Sequence, residues 1–210
     1  MTATRVTGPF TPLFGALIGA LGGAAYWLAV QIWPSSVAVI LSMAATALVT
    51  VRMRGALPAT RLDVTASMLS LLIKYNALMA LSAAKLPFAV APNIPLALIM
   101  ICGYAASFAM LVSVAAARPA KSVPAGGTIS SGGALSGGAL VLALLIGFAP
   151  AALLGIPGLF GLAAAIVAGL CIIAFLRFKR SGATDDTLNM TQLASEACFY
   201  LGALASWKYV

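Results

Sequence analysis

The feature that most limits what this chain can fold into is a succession of long apolar runs separated by short polar breaks. Seven can be drawn, at about residues 12–33, 36–51, 64–84, 96–117, 139–154, 158–176 and 190–207. A helix needs about 20 apolar residues to cross the hydrocarbon core of a bilayer. Irregular backbone cannot face lipid, so runs of this kind must be helical. Composition agrees: hydrophobic residues make up 62% of the 210 residues and charged residues 8%, against about 45–50% and 25% in soluble domains. The expectation is an all-α fold. It is a polytopic integral membrane helical bundle of about seven transmembrane helices, forming a single transmembrane domain over residues 1–210. No internal repeat divides it.

The breaks between runs carry the punctuation expected of turns. Pro34-Ser35 follows the first run, a Pro-rich stretch from Lys85 to Pro95 follows the third, and Gly155-Ile156-Pro157 separates the fifth from the sixth. The second run is short. Arg5 alone is thin for the charged region of a signal peptide, and the apolar run after it is too long for one. The first span is therefore expected to stay uncleaved. Within it Gly15, Gly19, Gly22 and Gly23 recur at helical spacing, and small residues so placed let helix backbones approach closely.

The net charge of +8 reports orientation and gives no sign of nucleic-acid binding, since no long basic run with interleaved aromatics exists. Arg52, Arg54, Arg61, Arg118, Lys121, Arg177, Lys179 and Arg180 all fall in the breaks after even-numbered spans, whereas the breaks after odd-numbered spans hold only Lys85. Positive loops stay in the cytoplasm. That predicts a cytoplasmic N-terminus and an external C-terminus.

Asp63, Asp185 and Asp186 share the basic face, which gives it a mixed acidic and basic mouth. Such a mouth suits an anionic, phosphate-bearing substrate with a divalent cation: carboxylates hold the metal, and Arg or Lys neutralises the remaining phosphate charge. Solvated loops that simply obey the insertion rule would look the same. The chain has no His, and Cys102, Cys171 and Cys198 stand alone in apolar runs without paired spacing. Any metal is then a hard cation held by oxygen, such as Mg2+.

Two charges fall inside spans. Lys74 sits in SLLIKYNALMAL, about ten residues from either end of its run, too deep to snorkel with ease. A charge at that depth faces the bundle interior and needs a partner. Glu196, the other intramembrane charge, is that expected partner. Gln192 lies four residues before Glu196 on the same helix face, and Asn189, Thr191 and Ser195 add polar groups. This half of the last helix is too polar for lipid and must face the bundle or a water-filled cavity. Asn76, two residues from Lys74, is on another face. Thr184 to Asp186 precede the last span, where one Asp suits a helix cap; two adjacent carboxylates exceed that need and point to a metal or to a salt bridge with Arg177, Lys179 or Arg180. The stretch AGGTISSGGALSGG, with Gly126-Gly127 and Gly132-Gly133, lacks a phosphate-loop pattern and reads as a flexible linker.

The segment Gly182 to Leu201, GATDDTLNMTQLASEACFYL, resembles the C-terminal motif of the cobalamin-5′-phosphate synthase family, the adenosylcobinamide-GDP ribazoletransferases. The family pattern reads approximately G-x-T-G-D-x-L-G-A followed by a Glu in the last helix. Gly182, Thr184, Asp186, Leu188 and Glu196 fall in register with it, while Asp185 and Asn189 replace family glycines. FTPLFGALIGALGG resembles the first helix of the family, LSLLIKYNAL a helix with an intramembrane Lys, and VAAARPA, with Arg118, the Arg-containing end of the next helix.

The resemblance implies a magnesium-dependent phosphotransferase of the bacterial inner membrane. It would join adenosylcobinamide-GDP to α-ribazole, or its phosphate, with release of GMP. On this reading Asp185 and Asp186 hold Mg2+, Arg118 and Arg54 neutralise phosphates, and Lys74 and Glu196 organise the interior. The family's Asp-rich segment after the second helix, D-G-x-x-D-T-x-D-G, has no counterpart: Leu48-Val49-Thr50 leads straight to Arg52. A catalytically impaired relative or a small membrane transporter stays open as the alternative, as does a homo-oligomer.

Overall fold

The computed structural model describes residues 8–54, 61–83, 94–117, 136–179 and 185–206; within them the side chains of 53–54, 61–63, 66, 94–95, 177, 179 and 185–186 are outside the description. The described residues form seven helices: α1 Thr11–Ala29, α2 Ser35–Arg54, α3 Arg61–Ala83, α4 Ile94–Ala116, α5 Gly137–Leu153, α6 Ile156–Lys179 and α7 Asp185–Ser206. Each expected run is one helix. The largest shift is in α7, which starts at Asp185, five residues earlier than the apolar pattern alone indicates, because its first turns are polar.

Local chemistry sets several of the helix ends. Pro12 stands in the first turn of α1, where its missing N–H costs nothing. Just before it, the Gly8 N–H donates to Thr11 Oγ1 at 3.0 Å. Ser136 caps α5, its Oγ accepting from the Ala139 N–H at 3.3 Å. α5 and α6 are separated only by Leu154 and Gly155, and Gly155 has φ +64°, a left-handed conformation that a side chain would strain. Pro157 then falls at the second position of α6, so the chain reverses in the fewest residues.

α4 is the hub. It packs most extensively on α1, and also on α5, α7 and α6. In an 18-residue stretch within Leu96–Ala116 78% of the residues are buried, against 17% in such a stretch within Ile156–Leu176 of α6, so α4 is enclosed by its neighbours while α6 lies at the edge. The α1–α4 contact is very close. A Cβ built at Gly15 would come within 2.7 Å of the Tyr104 carbonyl oxygen, one at Gly19 within 2.7 Å of Met100 O and Ile101 Cα, and one at Gly23 within 2.8 Å of Ala97 Cβ. Partners that descend from 104 to 97 as α1 ascends from 15 to 23 make the two helices antiparallel. Contacts of Gly161 with Phe199 and of Gly202 with Phe160 likewise make α6 and α7 antiparallel.

By contrast, α3 and α7 run parallel: Ser70 Oγ donates to Leu193 O at 3.3 Å, and one turn on Lys74 meets Glu196. The C-terminal ends of α4 and α6 therefore gather with the N-terminal ends of α3 and α7 at one end of the bundle. There Leu111, Val114 and Leu188 form a small apolar cluster.

Outside, the bundle is apolar. Leu48, Leu145 and Leu153 are 70%, 62% and 88% exposed, in the company of many other large apolar side chains. A surface of that kind belongs in lipid, not water. Among the described residues four helices are long and apolar enough to cross a membrane: Thr11–Ala29, Ser35–Arg52, Leu96–Ala116 and Ile156–Leu176, with shorter apolar stretches at Ser67–Ala83 and Gly137–Leu153. The protein is a multi-pass membrane bundle with Lys74, Glu196 and the polar residues beside them turned inward.

Candidate functional site

The inward polar groups converge between α3, α4 and α7. Lys74 Nζ lies 2.6 Å from Glu196 Oε1, with both side chains almost wholly buried. The same ammonium donates to Tyr104 Oη at 2.7 Å, and Tyr200 Oη donates to Glu196 Oε1 at 3.2 Å. Nζ also stands 4.4 Å from the centre of the Tyr104 ring and 5.8 Å from that of Tyr200. The partner expected for Lys74 from the sequence is therefore the one it has. At about 1.5 Å per residue, Glu196 lies about 16 Å along α7 and Lys74 about 20 Å along α3 from their first residues, near the middle of an apolar core about 30 Å thick.

Why these residues meet follows from periodicity. Gln192, Glu196 and Tyr200 are spaced by four on α7 and share one stripe, with Thr191 and Ser195 beside it. All five are buried. The helix thus carries its polar stripe against α3 and α4, as its composition requires. Tyr200 fits only because Gly103 on α4 has no side chain: a Cβ there would lie 2.7 Å from the Tyr200 ring. On α2, Ser42 Oγ donates to Gly22 O at 2.7 Å, and the Thr46 side chain, beside Tyr104, extends the polar region to a fourth helix. Asn76 is exposed and only bonds back to Leu72 O at 2.8 Å, in keeping with its separate face.

Tyr104 and Tyr200 escaped the sequence reading. For Tyr200 the signal was present, since it follows Glu196 by one helical turn. Tyr104 stands in the apolar run IMICGYAASFAM, and nothing in that run distinguishes a network tyrosine from a packing one. Arg118 lies outside the described residues. So do the side chains of Arg54, Asp185 and Asp186, although the backbone places Asp185 and Asp186 in the first turn of α7 and Arg54 at the end of α2. Among the described residues no group of three or more His, Cys, Asp or Glu side chains could hold a metal ion. Cys102, Cys171 and Cys198 are free thiols.

Comparison with known proteins gives a consistent answer. The family model described as cobalamin-5-phosphate synthase matches residues 63–204, that is, α3 through most of α7. The chain is also similar to the adenosylcobinamide-GDP ribazoletransferase of Leptothrix cholodnii (strain ATCC 51168 / LMG 8142 / SP-6), 30% identical over 234 residues covering 92% of this chain and 83% of that protein. The aligned stretch is longer than the chain itself, so the relative carries segments with no counterpart here. No solved structure matches. With the match spanning well over half of its length, the chain belongs to the cobalamin-5-phosphate synthase family.

Proposed function

We propose that this protein is a transferase of cobalamin biosynthesis that joins adenosylcobinamide-GDP to α-ribazole, or to its phosphate, and releases GMP. The observation that carries the reading is where the family match falls. Residues 63–204 include Lys74, Tyr104, Glu196 and Tyr200, so the buried cluster lies wholly within the part that resembles the family. In the overall change, the acceptor hydroxyl oxygen bonds to the phosphorus attached to the cobinamide. The bond from that phosphorus to the bridging oxygen breaks, GMP leaves with the electron pair, and the hydroxyl proton passes to solvent.

The charged end of the bundle receives the phosphates and faces the cytoplasm of a bacterial inner membrane. Arg118 and Arg54, carried over from the family resemblance, neutralise phosphate charge. Asp185 and Asp186, hard oxygen donors at the start of α7, suit Mg2+, which when bound would neutralise the pyrophosphate and the departing GMP. Lys74 and Glu196 touch one another and two tyrosines, so they hold α3, α4 and α7 in register beneath the reacting groups. Catalysis on this reading comes mainly from positioning and charge stabilisation.

Purified protein supplied with both substrates and Mg2+ is expected to release GMP in step with the joined product, and Asp186→Asn to abolish the calorimetric signal for Mg2+ binding. The missing Asp-rich segment favours one rival, a catalytically impaired relative. A protein that binds both substrates but releases no GMP would establish that rival instead.

A further inference from the structure

Among the described residues one pair of polar atoms is left over by the network. Gln192 Oε1 and Ser195 Oγ are buried with no hydrogen-bond partner, in side chains that are 2% and 0% exposed. Their neighbours on α7 do not share the defect: Thr191 Oγ1 donates to Thr187 O at 2.7 Å, and Glu196 is bound by Lys74 and Tyr200. Three residues apart, Gln192 and Ser195 lie on one face of α7, between its charged first turn and the Lys74–Glu196 pair. A buried polar atom without a partner destabilises the fold and calls for an explanation. Packing cannot supply one, because Leu or Ala would fill these positions at no polar cost.

We propose that Gln192 and Ser195 form a substrate subsite that takes an uncharged hydrogen-bond donor, a sugar hydroxyl or a carboxamide. The chemistry of the atoms sets the ligand class. A glutamine carbonyl oxygen only accepts, so the incoming group must bring an O–H or N–H. Ionised phosphate has neither, which separates this subsite from the phosphate-binding end of the bundle. A hydroxyl or primary amide also has capacity to pair with Ser195 Oγ, which both gives and accepts. Leu188, one turn before Gln192, belongs to the apolar cluster with Leu111 and Val114, which closes the α4 side. On the α3 side, the contacts across to α7 are Ser70 Oγ with Leu193 O and Lys74 with Glu196. The proposal rests on the functional reading above, which supplies the two compounds carrying such donors.

The test uses the full chain in detergent micelles, with calorimetric titration of α-ribazole and of adenosylcobinamide-GDP in separate experiments, alongside thermal melting. Gln192→Leu and Ser195→Ala are expected to weaken one of the two affinities by about tenfold or more, while melting stays equal or rises because an orphaned polar atom has gone. Whichever titration changes identifies the source of the donor. Unchanged affinity for both compounds overturns the proposal. A lower melting temperature with both affinities intact overturns it too, and shows instead that the two atoms hold resident water. Wild-type protein that binds neither compound defeats the functional reading and the proposal together, whereas wild-type binding that survives both substitutions defeats the proposal alone.

Discussion

α4 is gripped on one side by α1 and on another by α7 with α3, and the two seams are built by opposite means. The α1 seam is dry and made of small residues: Gly15, Gly19 and Gly23 bring backbone against backbone. The α3–α7 seam is polar and made of large ones, with Lys74, Glu196, Tyr104 and Tyr200 meeting side chain to side chain. Inside a membrane there is no hydrophobic drive to press helices together, so association depends on close packing and on hydrogen bonds. The glycine seam supplies the first without chemistry. The polar seam supplies the second, and it is where a membrane protein keeps groups that do work. The difference teaches that burial alone does not locate a site here. Both seams are buried, but only one contains groups whose burial is costly.

Breaking the polar seam should have the largest effect. Glu196→Ala leaves the Lys74 ammonium buried without its counter-charge, and loss of one partner of a buried pair costs about 3–5 kcal/mol. Unfolding in detergent would measure it, with GMP release lost as well. The double replacement Lys74→Met with Glu196→Met removes both charges and should recover most of that stability, to within about 1 kcal/mol of wild type, yet remain inactive. Active double-variant protein would show that the pair serves structure alone. Next comes the dry seam. Gly19→Ala places a methyl 2.7 Å from Met100 O and Ile101 Cα, which are backbone atoms and cannot rotate away. α1 and α4 must part, at about 1–3 kcal/mol, with affinity for both substrates kept in the folded fraction.

How much of this could be read beforehand differs between the seams. The glycine spacing in α1 and the depth of Lys74 both stand out in the sequence, because each departs from its surroundings: a small residue every fourth position, a charge among leucines. The Lys74–Glu196 pairing was legible for a simple reason, since a buried charge needs an opposite one and the spans offer a single choice. Tyr104 was not legible, because tyrosine is at home in apolar runs and its partner lies thirty residues away on another helix. Neither was the hub role of α4. Its run is no more apolar than that of α6, and only tertiary packing sets one inside and the other at the edge. The start of α7 was misplaced by five residues, since hydropathy marks where lipid begins while a polar first turn is helical all the same.

Smaller changes separate the network from its surroundings. Tyr200→Phe keeps the ring that fills the space over Gly103 and removes only the hydroxyl that donates to Glu196 at 3.2 Å. The bond lies within α7, and the expected loss is about 1 kcal/mol, the net worth of a buried hydrogen bond. Asn76→Leu should do least. Asn76 is two residues from Lys74 and equally deep, but it is exposed, and its amide bonds only to Leu72 O within the same helix. Replacement touches neither seam and should shift stability by less than about 0.5 kcal/mol, with GMP release unchanged. The pair of variants isolates direction from depth. If Asn76→Leu in detergent cost as much as Tyr200→Phe, depth in the membrane would govern the energetics, and the polar seam would lose its claim to be the distinctive part of the bundle. A near-silent Asn76→Leu beside a measurable Tyr200→Phe places the cost where α7 faces α3 and α4, because two residues along a helix turn a side chain about 200° away.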